Sequence, residues 1–182
     1  MALGEKTAGR EFLERSLDEF KRYKKMAEDV FDQVEDEGLN FRPDPESLTI
    51  YLMAKHLAGN MKSRWVDFLT TDGEKRDRNR DTEFEEEGEP SRRRMIEMWE
   101  EGWGYLFEAL ADLTDENMQD TVTIRGEPHT VIQAIQRQVA HYAYHVGQIV
   151  YVGKHLKGDA WRSLSIPKGK SDEFLGWAGD RK

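Results

Sequence analysis

Two histidines spaced four residues apart, His141 and His145, offer the clearest chemistry in the chain. The surrounding segment, 137–152, has no proline and is predicted to be helical. Residues four apart share one face of a helix, with Cβ atoms roughly 6 Å apart. Both imidazoles could therefore reach one metal ion. The alternative is an ordinary pair, with the rings bonded to each other or half exposed, so a metal site requires a third ligand elsewhere in the chain.

The face that carries this pair is unusually polar for a helix expected to be buried. Gln and His residues occupy a seam where Leu or Ile would pack better, and buried polar groups are costly without partners. A metal ion with bound water is the simplest partner for that seam. The seam comprises Ala134, Gln138, His141, His145, Gln148 and Val152, and the apolar stripe beside it comprises Ile135, Val139, Tyr142, Val146 and Ile149.

His56 is the natural third ligand, because it lies in the middle of another predicted helix. A lone histidine on a mostly apolar face is more often a core residue, which is the competing interpretation. Three protein nitrogens would leave at least one position open for water or substrate, as in catalytic zinc sites. His129 is interpreted as a capping or surface residue, and His155 as a favourable charge near a helix C-terminus. The candidates for supporting or substrate hydrogen bonds are Asn60, Gln138 and Gln148.

Composition excludes several functional classes. The 182 residues include no cysteine, so disulfides, thiolate metal sites and cysteine nucleophiles are excluded. A net charge of −9 argues against general nucleic-acid binding, which requires basic surface. No apolar run approaches the roughly 20 residues that span a bilayer, and the N-terminus lacks the apolar core of a signal peptide. We therefore expect a cytoplasmic protein without nucleic-acid or membrane partners.

The predicted elements form a single all-α domain, 1–182, built as a four-helix bundle. Helices are predicted at about 10–35, ended by Gly38, at 48–69, capped by Ser47, at 91–112 and at 131–156. Residues 70–90 are predicted to be a solvated, locally acidic loop that Phe84 alone could anchor, more a connector than a lid. A hairpin is predicted near 121–127. The irregular tail should pack on the bundle or on a second copy of the chain; its apolar residues are Trp161, Leu164, Ile166, Phe174 and Trp177.

Common metalloenzyme motifs are missing. The segment His-Tyr-Ala-Tyr-His lacks the glutamate of the His-Glu-x-x-His zinc proteases, and no Glu-x-x-His pair predicts a carboxylate-bridged di-iron bundle. No Gly-x-Ser-x-Gly, phosphate loop or dinucleotide fingerprint occurs.

The sequence resembles the DinB/YfiT-like superfamily of metal-binding four-helix bundles. The matching segments are KHLAGNMKSRW, with its histidine, and RQVAHYAYHVGQI. More narrowly it is similar to an uncharacterised subfamily, in which stretches like HLAGNMKSRWVDFLTTDGEK, RNRDTEFE and SIPKGKSDEF recur. The resemblance implies that His56, His141 and His145 are the metal triad, binding nickel, zinc or a similar divalent ion. Homodimers are common in the superfamily, and some members are transferases or isomerases that use bacillithiol or mycothiol.

Three functional hypotheses follow. The first is a metal-dependent enzyme, either a thiol (bacillithiol-type) S-transferase or a small-molecule hydrolase, whose partner is a small substrate or a low-molecular-weight thiol. The second is a non-catalytic metal-binding stress-response or ligand-binding module, motivated by the lack of an obvious carboxylate base near the triad. The third is a structural dimer without metal. The catalytic residues, the physiological metal and the role of the loop at 70–90 are not predicted.

Overall fold

A computed structural model describes residues 6–86 and 91–174, and these residues are mostly helical. Strands β1 (Thr121–Ile124) and β2 (Glu127–Thr130) form an antiparallel hairpin near the position predicted for one. None of the helices in these ranges is long and apolar enough to cross a bilayer. The α-helices are α1 (Ala8–Phe31), α2 (Asp36–Leu39), α3 (Ile50–Trp65), α4 (Arg92–Ala111), α5 (Val131–Lys157) and α6 (Ser171–Phe174), with 3₁₀ turns at Asp81–Phe84, Asp115–Gln119 and Gly158–Ala160.

Each of the four long helices begins after a hydroxyl residue that accepts a hydrogen bond from a backbone N–H of the first turn. These N-caps are Thr7, Thr49, Ser91 and Thr130. Such caps satisfy amide groups that have no partner within the helix. The prediction that Ser47 caps α3 is wrong. Its hydroxyl donates to Asp44 at 2.5 Å, and α3 begins three residues later.

Two predicted helix ends are also wrong. The first helix ends at Phe31 rather than near residue 35, and Gly38 lies inside the short α2. Arg92 donates to the carbonyl of Phe31 at 2.6 Å, so a side chain of α4 closes the C-terminus of α1. Helix α3 ends at Trp65 instead of near 69, because the chain turns at Asp67, whose φ is +50°.

The four long helices share one hydrophobic core. Helix α3 packs mainly on α4, and α1 packs mainly on α5, while α3 and α5 also meet. Gly102 permits the first of these contacts, since a Cβ at this position would lie 2.9 Å from the Cα of Ala58. Large side chains from three of the helices fill the centre: Phe20, Trp99, Trp103 and Tyr142. The contact between α3 and α5 places His56 opposite the seam of His141 and His145.

The predicted solvated loop, 70–90, is held against the protein at several residues of the part that the structure describes, which ends at residue 86. The carboxylate of Asp72 accepts the backbone N–H groups of Arg125 and Gly126 at 2.9 and 2.8 Å. The side chains of Arg78 and Glu83 are only 5% and 8% exposed. The prediction of a solvated loop is therefore wrong for Arg78 and Glu83, whose charged side chains are buried because they pair with each other. Other described residues of the loop, among them Arg76, Asp77 and Asp81, are exposed as predicted. Residues 87–90 lie outside the described ranges.

The segment after α5 is irregular in part and packs on its own chain. Trp161 and Leu164 lie against the core. Gln33 accepts from the backbone N–H of Arg162 at 2.8 Å and donates to its carbonyl at 3.2 Å. Ile166 is 44% exposed. The side chain of Phe174 and the whole of Trp177 lie outside the described part of the chain.

Candidate metal centre

The three predicted histidines come together between α3 and α5. One ring nitrogen from each lies within 4.8 Å of the other two. His56 Nε2 and His141 Nε2 lie 3.4 Å apart. His56 and His145 are 4% and 8% exposed, and His141 is half-buried. Two helices therefore present three nitrogen ligands to one point.

Hydrogen bonds at the far side of two rings fix which nitrogen faces that point. His56 Nδ1 lies 2.8 Å from Glu83 Oε2, and His145 Nδ1 lies 3.1 Å from Gln148 Oε1. A carboxylate and an amide oxygen only accept hydrogen bonds, so Nδ1 is the protonated nitrogen in both rings. The Nε2 lone pairs of His56 and His145 are then free to bind a metal ion. Hydrogen bonds to the other ring nitrogen commonly fix the tautomer and orientation of metal-binding histidines in this way.

The spacing of the ligand nitrogens suits a divalent ion. Four-coordinate zinc with Zn–N bonds of roughly 2.0–2.1 Å places neighbouring nitrogens about 3.3 Å apart. The 3.4 Å between His56 and His141 already matches that edge. The largest separation between the ligand nitrogens is at most 4.8 Å. Ring movements totalling about 1.5 Å would therefore bring all three nitrogens to the spacing of a zinc site. The chemistry of the donors and their spacing therefore fit a metal ion.

Burial keeps the two α5 histidines neutral. It lowers the pKa of His141 to about 3, with further lowering by the neighbouring His145 and His56. Burial also lowers the pKa of His145 to about 4, and the hydrogen bond to Gln148 only partly offsets it. Metal ions bind the neutral imidazole, so protons compete weakly with a metal for these two ligands near neutral pH.

A carboxylate from the loop supports the centre. Burial alone would raise the pKa of Glu83, but hydrogen bonds from His56 and Arg78 outweigh it and lower the pKa, so the group is ionised. Arg78 contacts both oxygens of Glu83 at 2.8 Å, and it also donates to Glu74 at 3.1 Å. The result is a chain of contacts from Glu74 through Arg78 and Glu83 to His56.

Local packing holds this part of the loop on α3. Phe84 stacks on His56 with ring centroids 4.8 Å apart. Lys55 donates to the carbonyls of Thr82 and Glu85 at 2.6 and 3.0 Å. Gly59 leaves room for the carboxylate, since a Cβ at this position would lie 2.4 Å from Glu83 Oε1. The conformation of the loop is thus fixed on both sides of Glu83.

All three histidines line a cleft of about 650 Å³. Five arginines share its walls with the three histidines, and none of the described residues that line it is Asp or Glu. Glu83 lies behind His56 and does not line the cleft. The lining residues are Leu48, His56, Asn60, Arg64, Arg78, Arg80, Phe84, Arg125, Arg137, Gln138, Ala140, His141, Tyr144 and His145.

The three predicted supporting residues have different environments. Gln148 bonds His145, as described above. Asn60 lines the cleft and accepts from the hydroxyl of Tyr142 at 3.1 Å. Gln138 also lines the cleft, and within the described residues its buried Oε1 has no hydrogen-bond partner. Among the described residues, Gln138 therefore combines a place in the wall of the cleft with a buried acceptor that lacks a partner.

The other two histidines lie away from the triad. His129 Nδ1 lies 3.0 Å from the carbonyl of Glu127 in the hairpin. His155 is exposed near the end of α5 and stacks on Phe41, with centroids 5.8 Å apart. Neither contributes to the ligand group.

A family model described as a protein of unknown function, DUF1572, matches residues 7–170. The chain belongs to the DUF1572 family. The matched range includes the whole triad, Glu83 and Arg78. No curated protein and no solved structure gives a significant match.

Sequence reasoning on this DUF1572 chain missed Glu83 and Arg78, because both lie in a charged stretch without periodicity. Two signals pointed to them. Phe84 is a single aromatic residue in an otherwise charged stretch, and it marks where the loop returns to the protein. Gly59 lies in the middle of α3, where glycine costs about 1 kcal/mol relative to alanine, so close approach by another group explains it.

Proposed function

We propose that the chain is a DinB-like four-helix-bundle protein that binds one divalent ion, nickel, zinc or similar, through His56, His141 and His145. We further propose that it is a metal-dependent enzyme acting on small molecules, with thiol S-transfer as the favoured reaction. One observation carries the proposal: three converging histidines line a cleft of about 650 Å³. A structural metal site would instead be closed by a fourth protein ligand.

The bound ion would supply Lewis acidity toward a water molecule or a thiol. The protein's own residues hold and orient the ligands: Glu83 and Gln148 keep the Nδ1 protons of His56 and His145 in place. Phe84 covers one face of His56, and the ring of Tyr144 lies 4.9 Å from that of His145. Water access to those two imidazoles is thereby reduced.

The absence of carboxylates from the described walls of the cleft favours a thiol over water as the nucleophile. A free thiol has a pKa of about 8.5, against roughly 15.7 for water, so a thiol needs far less help to lose its proton. Hydrolysis usually enlists a general base, and the nearby Glu83 is occupied by His56 and Arg78. Metal-dependent hydrolysis is accordingly the second choice of reaction.

The same lack of a carboxylate also favours an alternative from another class, a non-catalytic metal-binding stress-response or ligand-binding module. In that case the ion would link α3 to α5 and stabilise the fold. A ligand present at a hundred times its Kd stabilises a protein by about 2.7 kcal/mol. Both functions therefore predict a higher melting temperature with metal, and only the enzyme predicts turnover. The homodimer implied by the resemblance stays a prediction, which light scattering on the purified chain would test.

The decisive experiment combines elemental analysis with a thiol-transfer assay. Purified protein loaded with zinc, nickel or manganese is incubated with bacillithiol or glutathione and a chromogenic electrophile. We expect one metal per chain and metal-dependent thiol consumption, both lost in His141→Ala. His129→Ala is the matched control, because this histidine lies outside the triad. Stoichiometric metal without turnover across the panel would support the non-catalytic module, and protein that binds no metal would reject both functions.

A further inference from the structure

The arginines of the cleft differ in whether their charge is already paired. Arg64, Arg78 and Arg125 all donate to Glu74, at 3.1, 3.1 and 3.0 Å. Arg78 also binds Glu83. These three side chains therefore have structural partners, and their contacts build the wall of the cleft.

Arg80 and Arg137 differ from these three. In the described ranges, 6–86 and 91–174, neither forms an ion pair with a carboxylate, and both are exposed and line the cleft. The chain as a whole carries a net charge of −9, whereas the described residues that line this cleft include five arginines and no Asp or Glu. A cleft lined by one sign of charge concentrates ions of the opposite sign.

The two arginines lie on opposite elements that flank the triad. The guanidinium carbon of Arg80 lies 4.9 Å from the ring centre of Phe84, which in turn stacks on His56. Stacking uses the flat face of a guanidinium and leaves its N–H edges free to bind an anion. Arg137 lies on α5 one turn before His141, so both side chains leave the same face of that helix.

Gln138, the next residue on α5, adds a buried acceptor that has no partner among the described residues. Its side chain is 2% exposed, and its Oε1 lacks a partner in the described part of the protein. Leaving a buried polar atom unpaired is costly, so a donor that reached this oxygen from the cleft would be stabilising. The donor could be water or a hydroxyl, amine or thiol of a ligand.

We propose that Arg80 and Arg137 form an anion-binding subsite beside the triad, and that the ligand of this cleft is a small acid. Its carboxylate or phosphate group is held by the two guanidinium groups, a hydrogen-bond donor meets Gln138, and the rest of the molecule extends to the histidines. This assignment deepens the proposed function, because it names the substrate class of the same cleft. The arginines bind the anion whether or not a metal is present.

The test is an NMR titration of metal-free protein, prepared by dialysis against a chelator that is then removed. Inorganic phosphate and succinate are the probes, and sodium chloride at the same ionic strength corrects for screening. We expect saturable shifts of the arginine side-chain signals with at least one probe. The comparison of the two probes shows whether the subsite prefers phosphate or carboxylate.

Variants locate the binding. Charge-assisted hydrogen bonds are strong enough that Arg80→Gln and Arg137→Gln should each weaken binding of the better probe about tenfold. Arg93→Gln is the matched control, because it removes the same charge from an arginine whose side chain is 84% exposed and which lies outside the cleft. Its affinity should stay within about twofold of the wild type.

The inference fails if neither probe saturates, or if Arg80→Gln and Arg137→Gln bind the probes as tightly as Arg93→Gln does. Because these titrations contain no metal, their result is separate from that of the metal and turnover assays. Anion binding without metal binding would keep the subsite and reject the enzyme. Metal-dependent turnover without arginine-dependent anion binding would keep the enzyme and reject the subsite.

Discussion

Replacing Glu83 by glutamine tests whether the loop carboxylate supports the metal ligands. The change keeps the size of the side chain but removes the charge that accepts from His56 Nδ1 at 2.8 Å. It also places an amide NH₂ where one carboxylate oxygen accepts from Arg78. The variant therefore weakens the hydrogen bond to His56 and introduces a contact between two donors.

The expected loss of zinc affinity is about tenfold. A hydrogen bond to a charged group contributes about 1.5–3 kcal/mol and a neutral one about 0.5–1.5 kcal/mol. The difference is close to the 1.4 kcal/mol that corresponds to a factor of ten. Removal of the whole side chain in Glu83→Ala should reach the upper end of the roughly 10–100-fold range seen for residues that support metal ligands.

Glu74→Gln is the matched control for the effect on stability. It removes the other carboxylate partner of Arg78 without touching His56. Losing one partner of a buried ion pair costs up to about 3–5 kcal/mol, so both variants should unfold at lower urea concentration. Only Glu83→Gln should lose metal affinity, measured by competition with a chromophoric chelator while circular dichroism confirms folding.

Gly59→Ala provides an independent test that leaves every charge in place. The added methyl group would lie 2.4 Å from Glu83 Oε1, so the carboxylate must move away from its present position. Zinc affinity should fall in this variant also. Wild-type zinc affinity in folded Glu83→Gln would refute the reasoning, and an equal loss in Glu74→Gln would assign the effect to loop stability instead.

Three further predictions concern pH, helix packing and the second supporting contact. The pKa values of about 3 and about 4 for His141 and His145 lie below the value of about 6.5 for an unfolded histidine. At pH values between the folded and unfolded pKa, the unfolded chain therefore binds more protons than the folded protein does. The free energy of unfolding of the metal-free protein should be highest above pH 6.5 and should fall toward pH 4. The decrease is at most about 1.4 kcal/mol per pH unit for each histidine, and less for half-buried His141. Urea midpoints measured against pH would show it. Bound zinc should persist below pH 6.5, the value expected for free histidine, and a zinc loss already complete at pH 6 would contradict these pKa values. Gly104→Ala should stabilise the protein by up to about 1 kcal/mol, because an added Cβ would have no described atom within 4 Å. Gly102→Ala should destabilise it by pushing α4 away from Ala58, and equal thermal midpoints for the two variants would contradict this reasoning. Gln148→Ala should weaken zinc binding less than Glu83→Ala does, because it removes a neutral and only half-buried acceptor, and chelator competition would show the order.

The parts of the site that follow a helical repeat could be predicted from the sequence. The four-residue spacing of His141 and His145 places both rings on one face, and the position of His56 in the middle of α3 brings it opposite. The mostly helical character and the hairpin before α5 also followed from local patterns.

The remaining contacts depend on tertiary structure that no local pattern encodes. Glu83 reaches a histidine 27 residues earlier, and its burial is possible only because Arg78 binds both of its oxygens. A stretch of mixed charge ordinarily predicts solvated chain, and here two of its charged residues, Arg78 and Glu83, pair with each other inside the protein. Competition from local hydrogen bonds explains the misplaced cap as well, since the hydroxyl of Ser47 is held by Asp44.

The attachment of Glu83 to a loop rather than to a helix has a consequence for protein engineering. Grafting the three histidines onto an unrelated helical scaffold would transfer the ligands without the group that fixes the tautomer of His56. A faithful transplant needs the segment from Arg78 to Phe84 and a glycine at the position corresponding to Gly59, so that the carboxylate can lie flat against the recipient helix.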